Sequence, residues 1–304
     1  MSSLVAPVEE RTLLGIGLVL VAYLLFVFTD SSAKWLGLIG MPVLQIVFLR
    51  YAIHLGIVSA LYLPQQGAGL LRSNNMKIQV LRALALLGSS LCNLTAVQYI
   101  PLTVTGSIAF TMPLILCALS VPLLGETVGW RRWTAIGVGF IGTLIIVQPG
   151  GAAFHPAALL SLAGAVFSAF YFLLTRRLAG VDSAATQQFY GAVFATIILT
   201  PFALAHWVWP TNALDWTVFF AVGTTAYVGH QFSTVAMRFA PASTLAPFAY
   251  VQIIFFAVIS WLVFGQPPGF WLYVGAPIVI GSGLYIWLRE RALALPVTPV
   301  LEAR

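Results

Sequence analysis

The sequence predicts an all-α polytopic membrane protein whose ten transmembrane helices form two inverted five-helix repeats. Three observations support this fold class. Of the 304 residues, 60% are hydrophobic and only 7% are charged, with a mean hydropathy of +0.98. A soluble domain carries about 25% charged residues. The apolar runs have the length of a bilayer-spanning helix, about 20 residues, and one stretch of the chain is echoed 140 positions later.

The apolar runs follow one another with short connections. The first run comes after Arg11 and is longer than the apolar core of a signal peptide, about 7–15 residues, so we expect a retained helix. Prolines such as Pro42, Pro101 and Pro210 mark the boundaries between runs. The ten predicted helices cover residues 12–29, 43–63, 78–98, 102–124, 131–148, 157–177, 184–205, 215–237, 242–264 and 270–288.

The Lys and Arg residues fall almost entirely on one side of this topology. If the N-terminus is inside, eleven of the fourteen lie in inner segments, Lys34 lies in an outer loop, and Arg50 and Arg82 lie within helices. Cytoplasmic segments carry the excess of Lys and Arg in membrane proteins. We therefore predict a multi-pass membrane protein with both termini in the cytoplasm. The Trp residues at predicted helix ends are typical of an interfacial aromatic belt.

The echo joins the stretch Tyr99–Glu126 to the stretch Phe239–Gln266. A shift of 140 positions aligns Pro101 with Pro241 and the Gly-Glu ending of the first stretch with Gly-Gln in the second. Because each repeat has an odd number of helices, the second copy enters the membrane from the opposite side and the repeats are inverted. We predict that residues 1–150 form the first repeat with a short N-terminal lead. Residues 151–290 form the second repeat, and residues 291–304 form a cytoplasmic tail.

With this duplication the sequence resembles the drug/metabolite transporter superfamily, in its ten-helix EamA-type branch. The resemblance covers essentially the whole chain and rests on the duplicated unit, on the pattern from Pro101 to Glu126, and on the Gly-rich fifth helix. The second copy departs from the family pattern at Gln266, where Glu is frequent. The resemblance implies a carrier that exports or exchanges small metabolites. The aromatic-rich helices look most like the branch that exports amino acids, aromatic ones included.

The first candidate for a substrate cavity is a set of polar residues on predicted helices 3 and 8. At the same shift Ser90 aligns with His230 and Asn93 with Ser233. Each helix carries its two residues three positions apart, hence on one face, and Tyr227 lies one turn before His230. Polar groups at mid-membrane are costly and mark substrate pathways, which inverted repeats place near the midplane. The alternative is interhelical hydrogen bonding that only stabilises the bundle.

The second candidate is on predicted helices 4 and 9. Phe110 aligns with Tyr250, and Gln252 lies near mid-span. Two rings related by a pseudo-two-fold axis are expected to clamp a planar or apolar part of the substrate, and the alternative is plain packing. Prolines interrupt both helices and remove backbone hydrogen bonds, which gives either a bending point or a static kink. These prolines are Pro113, Pro122 and Pro247.

Predicted helix 2 carries Arg50 and His54 on one face. Arg50 has three open roles, which are an ion pair with Asp30, binding of a substrate carboxylate, and extension toward the interface. Asp30 is expected near the end of helix 1, so no carboxylate is predicted at the midplane. That disfavours a proton-coupled cation exporter, although His54 and His230 titrate near neutral pH when unperturbed. Glu126 is expected to form an interfacial ion pair or to have a helix-end role, and the alternative is contact with the substrate.

The sequence contains no GxxxxGK[ST] loop, no HExxH motif and no Cys/His cluster, so we predict no cofactor, no metal, no catalytic residue and no enzymatic activity. The predicted partners are the lipid bilayer and a small-molecule substrate, with no nucleic acid. Monomer and homodimer both stay open.

The resemblance implies a multi-pass carrier of the bacterial inner (plasma) membrane, and the predicted function is export of amino acids, aromatic or neutral ones among them, or of similar small metabolites, by alternating access. We expect predicted helices 1, 3, 4, 6, 8 and 9 to wall the cavity. The alternatives are a broad-specificity drug exporter and a membrane scaffold or enzyme without transport.

Overall fold

The computed structural model describes residues 12–124, 129–148, 154–178, 181–236, 239 and 245–294, and these are almost entirely helical. Glu126 lies outside the described residues. Short 3₁₀ helices cover Gly67–Leu71 and Ala246–Val251. The α-helices are α1 (Thr12–Leu38), α2 (Val43–Gln66), α3 (Met76–Tyr99), α4 (Leu102–Ala109), α5 (Met112–Leu124), α6 (Trp130–Val147), α7 (Ala157–Leu178), α8 (Ala184–Ala205), α9 (Ala213–Ala236), α10 (Gln252–Phe264) and α11 (Phe270–Ala294).

The predicted fold class is confirmed, and each of the ten predicted spans has a helical counterpart in the described residues. Predicted helix 4 is divided into α4 and α5, and predicted helix 9 begins with the 3₁₀ segment and continues as α10. Pro113 and Pro247 lie in the first turn of the new segments, where the missing N–H of proline costs least. Within the described ranges, five helices, α1, α2, α3, α7 and α8, are long and apolar enough to cross a membrane.

Local sequence signals explain where α3 and α8 begin. The side-chain oxygen of Asn75 accepts a hydrogen bond from the backbone N–H of Ile78 at 3.3 Å, and the Ser183 hydroxyl accepts one from the N–H of Thr186 at 3.0 Å. These N-caps satisfy donors that the first helical turn leaves without a partner. Both caps lie at the same end of the bundle, which we call the α2–α3 end. The opposite end carries the α1–α2 connection and is called the α1–α2 end.

The extensive helix contacts join the two halves of the chain. Helix α1 packs on α9, α3 on α7, α2 on α8, α6 on α11, and α4 on α10. In the two-repeat architecture, α1, α2, α3, α4 and α6 correspond to α7, α8, α9, α10 and α11. Replacing each helix by its counterpart converts the α1–α9 contact into the α7–α3 contact and leaves the other three contacts unchanged. A pseudo-two-fold axis between two repeats produces this pattern. The interface between the repeats is therefore the inside of the bundle.

Two glycines allow α9 to approach its neighbours closely. A Cβ atom at Gly229 would lie 2.8 Å from a ring carbon of Phe26 on α1. One at Gly223 would lie 2.5 Å from the Cβ of Ile53 on α2. Small residues at helix contacts let backbones come together where lipid provides no hydrophobic driving force. Helix α9 therefore lies deep between α1 and α2.

Helix α1 ends at Leu38, beyond the predicted end at residue 29. The prediction that Lys34 lies in an outer loop is therefore wrong. Its side chain is buried, and Nζ donates to the carbonyl oxygens of Val97 at 2.9 Å and Ile100 at 2.8 Å. These carbonyls form the C-terminal end of α3, where a positive charge is favourable. The polar residues between positions 30 and 34 lower the local hydropathy, but they face other helices. The low hydropathy therefore does not mean that the chain leaves the membrane here.

Candidate substrate-binding cavity

An internal cavity lies where five helices from both halves of the chain meet. Its volume is about 320 Å³, and it is lined by α2, α3, α7, α8 and α9. The lining combines cationic, aromatic and amide side chains with a few hydroxyl groups. The polar and aromatic lining residues are Arg50, Tyr51, His54, Arg82, Tyr171, Phe172, Thr175, Gln187, Gln188, His230, Ser233 and Thr234.

Arg82 of α3 lies at the side of the cavity toward the α2–α3 end, and each of its side-chain nitrogens donates a hydrogen bond. Nε donates to the Thr175 hydroxyl at 2.8 Å, Nη1 to the Gln187 carbonyl oxygen at 2.8 Å, and Nη2 to the Tyr171 hydroxyl at 2.9 Å. The guanidinium also lies 4.7 Å from the centroid of the Tyr171 ring. Arg82 therefore joins α3 of the first half to α7 and α8 of the second.

Arg50 of α2 lines the same cavity, but its guanidinium has no hydrogen bond to any described residue. It lies 5.9 Å from the centroid of the Tyr51 ring and interacts electrostatically with Asp30 of α1. Asp30 lies inside α1 and not at its end as predicted, because the helix continues to Leu38. Since Arg50 lines the cavity, the geometry favours the ion-pair and substrate-binding roles over extension toward the interface.

Two histidines from opposite halves of the chain lie next to each other at the cavity. The ring centroids of His54 and His230 are 6.4 Å apart. His54 packs edge-on against Tyr227 at 5.3 Å, and His230 packs edge-on against Phe26 at 4.8 Å. The side chains of His54 and Gln188 on α8 interact with each other, although neither His54 Nε2 nor Gln188 Oε1 makes a well-aligned hydrogen bond in the described part of the chain. The aromatic contacts hold both imidazole rings beside the cavity.

Among the residues predicted on helix 8, two line the cavity and one lies behind it. His230 and Ser233 are lining residues on α9. Tyr227 is buried, is not among the lining residues, and packs against the ring of His54, which does line the cavity.

The two residues predicted on helix 3 support the cavity from behind. Ser90 is buried, and its hydroxyl shares a 2.7 Å hydrogen bond with the hydroxyl of Tyr51, which is a lining residue. Asn93 donates from Nδ2 to a carboxylate oxygen of Asp30 at 3.3 Å. The alternative of interhelical hydrogen bonding therefore describes Ser90 and Asn93 better than direct lining does.

The aromatic pair predicted on helices 4 and 9 lies away from this cavity. The rings of Phe110 and Tyr250 are in contact, with centroids 5.3 Å apart, in an apolar cluster formed with α6 and α11. The Tyr250 hydroxyl lies against Gly283 of α11. Gln252 donates from Nε2 to the Tyr23 carbonyl oxygen at 3.3 Å. None of these three predicted residues is among the lining residues of the cavity.

Sequence reasoning missed the contribution of predicted helices 2 and 7 to the cavity wall. Their counterparts α2 and α8 supply lining residues, whereas α1, α4 and α10, which were expected to wall the cavity, supply none. The missed residues include Arg82, Tyr171, Gln187 and Gln188. Two signals pointed to three of them, because Arg82 is a cation inside an apolar run and the two glutamines are adjacent at the start of another.

Polar contacts fasten the α1–α2 end of the bundle. Gln45 donates from Nε2 to the Val208 carbonyl oxygen at 2.7 Å, and the Val208 N–H donates back to Gln45 Oε1 at 2.9 Å. Trp35 donates from its indole nitrogen to Asp215 at 2.8 Å. A buried apolar cluster from α1, α2, α3, α8 and α9 fills the space between these contacts and the cavity. The cavity is therefore closed at this end.

A second polar cluster fastens the α2–α3 end. The carboxylate of Asp182 accepts hydrogen bonds from the Ser73 hydroxyl at 2.6 Å, the Asn74 N–H at 2.8 Å and the Gln79 side-chain amide at 2.8 Å. Burial by itself raises the pKa of Asp182, but the hydrogen bonds together hold the pKa below its ordinary value. This cluster joins the α2–α3 connection of the first half to the α7–α8 connection of the second.

An apolar helical bundle built from two repeats, with a polar cavity at their interface, has the architecture of a secondary transporter. The model of the EamA-like transporter family matches residues 13–148 and 155–288. The chain belongs to this family of the drug/metabolite transporter superfamily.

Related proteins are named as transporters. The chain is 30% identical over 301 residues to the riboflavin transporter of Vibrio cholerae, covering 94% of this chain and 99% of the relative. It is 24% identical over 262 residues to the S-adenosylmethionine uptake transporter of Rickettsia prowazekii, covering 86% and 88%. It is 26% identical over 243 residues to the pseudopaline exporter CntI of Pseudomonas aeruginosa, covering 79% and 84%.

A solved crystal structure matches the fold with a TM-score of 0.61 at 19% identity, covering 93% of this chain and 98% of the other. This likeness concerns the fold alone.

Proposed function

We propose that the protein is a secondary carrier that moves a planar heteroaromatic metabolite of the flavin type, with riboflavin as the first candidate, through the cavity by alternating access. The observation that carries this proposal is the composition of the lining. It contains two arginines, two histidines and several aromatic rings, and no Asp or Glu is among the described lining residues. A cavity with one sign of charge attracts ligands of the opposite sign and disfavours cations.

The charge of the lining separates the substrates named for the relatives. Riboflavin is neutral, planar and rich in carbonyl acceptors, whereas S-adenosylmethionine carries a sulfonium cation. A cation in this cavity would lie close to Arg50 and Arg82 without a carboxylate in the lining to balance it. The lining therefore supports the flavin class, and so does the match to the Vibrio cholerae relative over almost its whole length.

Export of amino acids is a second candidate function, favoured by one specific observation. Asp30 interacts electrostatically with Arg50, so a zwitterion would find a cationic and an anionic partner near each other. An aromatic side chain would then lie against the rings of the lining. This candidate requires Asp30 to become accessible from the cavity, because it is not among the lining residues.

We also propose the orientation in the membrane. With Lys34 buried in α1, no Lys or Arg remains in the predicted outer loops, which supports cytoplasmic termini in a bacterial plasma membrane. The α2–α3 end would then face the cytoplasm, and the cavity would lie in the cytoplasmic half of the bilayer. The repeat division at residues 1–150 and 151–290 is part of the same proposal.

A counterflow assay in proteoliposomes tests the substrate proposal. Vesicles are loaded with unlabelled riboflavin, phenylalanine, tryptophan or S-adenosylmethionine, and entry of the matching labelled compound is followed at two pH values. We expect riboflavin to give the strongest counterflow. Counterflow of the amino acids without riboflavin would replace the first candidate by the second, and counterflow of S-adenosylmethionine alone would contradict the argument from charge.

A matched pair of variants on α9 tests the role of the cavity. His230→Ala is expected to reduce riboflavin counterflow about tenfold, because it removes a ring that lines the cavity and opens space beside Phe26. Thr224→Ala is the control, because this side chain on the same helix is exposed outside the cavity. Equal counterflow in both variants would show that the substrate takes another route.

A further inference from the structure

A groove separate from the cavity lies between α2 and α9, near the α2–α3 end. Its volume is about 450 Å³, and all of its lining residues belong to these two helices. It lies closer to that end than the contact in which a Cβ atom at Gly223 would be 2.5 Å from the Cβ of Ile53. Leu61 and Gln65 of the lining are exposed, so the groove opens on the outside of the bundle.

The lining of the groove is polar and aromatic. Tyr62 and Gln65 come from α2, and Tyr227, Gln231 and Phe232 come from α9. No Lys, Arg, Asp, Glu or His is among the described lining residues. The two tyrosines interact through their side chains. Both glutamines have accessible surface, and their amides make no hydrogen bond within the described part of the chain, so two amide groups remain available to a ligand.

This chemistry is poorly matched to a phospholipid, although lipid surrounds the bundle. An acyl chain against Gln65 and Gln231 would leave both amides without hydrogen-bond partners, which costs free energy. A phosphate group prefers Arg or Lys as its partner, and the described lining contains neither. A neutral ring compound with donors and acceptors on its edge would satisfy the amides and pack its faces against the rings of Tyr62 and Phe232.

One aromatic ring connects the groove with the cavity. Tyr227 lines the groove and packs edge-on against His54, with their ring centroids 5.3 Å apart. His54 in turn lines the cavity. A molecule bound in the groove therefore lies next to the cavity, beyond the rings of Tyr227 and His54.

We propose that this groove is a second binding site for a neutral planar heteroaromatic molecule, the class of compound that the proposed function assigns to the cavity. Gln65 and Gln231 form hydrogen bonds with the edge of the ring system, and Tyr62 and Phe232 contact its faces. This inference rests on the proposed function, and it adds a place outside the cavity where the substrate is held.

The stoichiometry of riboflavin binding tests this proposal. The full-length protein in lipid nanodiscs is titrated with radiolabelled riboflavin by equilibrium dialysis, and nanodiscs without protein correct for partition into lipid. We expect the wild-type protein to bind two riboflavin molecules. This measurement needs no variant and so does not depend on how a substitution folds.

Variants then assign the two molecules to the two sites. The double variant Gln65→Leu with Gln231→Leu is expected to weaken one of the two sites about 10- to 100-fold, because it removes the hydrogen bonds to the ring edge. Gln66→Leu is the matched control, since Gln66 is exposed beside Gln65 but does not line the groove, and it should keep both sites. Arg50→Gln is expected to weaken the other site about tenfold and to leave the groove site unchanged.

The outcomes separate the groove from the proposed function. A single riboflavin per wild-type protein, weakened by Arg50→Gln, would overturn the second site and leave the proposed function in place. Two sites of unchanged affinity in the double variant would also overturn it. So would a phospholipid that native mass spectrometry finds on the wild-type protein but not on the double variant, together with one bound riboflavin. A single riboflavin weakened only by the double variant would support the groove and contradict binding in the cavity, and absence of riboflavin binding would overturn both.

Discussion

The two arginines of the cavity, Arg82 and Arg50, differ in the number of hydrogen bonds that their guanidinium groups donate to the protein. Arg82 donates from all three of its side-chain nitrogens to partners on α7 and α8 and stacks on the Tyr171 ring. Arg50 has an electrostatic neighbour in Asp30 and an aromatic neighbour in Tyr51, but its guanidinium has no hydrogen bond in the part of the chain that the structure describes. Both residues line the same cavity.

This difference separates a group that holds the fold from a group that is available to a ligand. Three of the five N–H donors of Arg82 bind acceptors of the protein, so this side chain has fewer donors left to offer a substrate. Lys34 is a second example, because it donates to the end of α3 and is buried among helices. No donor of Arg50 is used by a residue that the structure describes. Polarity inside the membrane is therefore a poor guide to function until the partners of each group are counted.

The largest effect is expected from Arg82→Leu. It removes three hydrogen bonds between the repeats and leaves the Tyr171 and Thr175 hydroxyls without this donor. Hydrogen bonds to charged groups contribute about 1.5–3 kcal/mol each, so the loss in stability should reach about 3 kcal/mol. We expect a fall in melting temperature of about 5 °C or more in detergent, measured by thermal aggregation.

Lys77→Leu provides the control for that variant, since Lys77 is an exposed cation on the same helix. It should leave the melting temperature within about 2 °C of the wild type. If Arg82→Leu were as stable as Lys77→Leu, the hydrogen bonds of Arg82 would not stabilise the fold, and the proposed difference between the two arginines would be wrong.

A smaller effect on stability and a large effect on transport are expected from Arg50→Gln. Because no hydrogen bond of the described residues is lost, the melting temperature should change by less than about 3 °C. Riboflavin counterflow should fall about tenfold or more, since a charged donor to the substrate is removed. Arg50→Lys keeps the charge without the planar fork and should give an intermediate rate. Wild-type counterflow in Arg50→Gln would remove Arg50 from the binding site.

Much of the fold can be predicted from the sequence because an apolar run in lipid must satisfy its backbone hydrogen bonds within a helix. Twenty-residue apolar runs have few alternatives in a bilayer, and the order of ten helices and the two-repeat architecture were predicted correctly. The errors fall where polar residues face other helices. Residues 30–34 of α1 were read as the start of a loop, although Lys34 is buried against the end of α3. Hydropathy cannot separate a buried polar turn from a water-facing one.

The cavity was harder to predict, because internal symmetry identifies equivalent positions but not their orientation. The alignment brought out His230 and Ser233, which line the cavity, together with Ser90 and Asn93, which lie behind it. It missed Gln188, whose partner position in the first repeat has no similar side chain. Phe110 and Tyr250 are in contact, but contact between rings does not place them in the cavity. Which side of a helix faces the cavity depends on its rotation in the packed bundle.

The smallest effect is expected from Asp182→Asn at the α2–α3 end. The carboxylate of Asp182 accepts three hydrogen bonds there, and its contribution to stability can be measured as a function of pH. Its pKa lies below the ordinary value of 3.8, so its contribution to stability is present above pH 3.8 and is lost as the pH falls through the lower pKa of the folded state. At pH 7 the variant should lose no more than about 1 kcal/mol, because the carboxylate is partly exposed. The gap in melting temperature between wild type and Asp182→Asn should therefore narrow as the pH falls below 3.8. A gap that widened under acid would mean that the charge of Asp182 does not strengthen its hydrogen bonds to Ser73, Asn74 and Gln79, and that this end is held by packing.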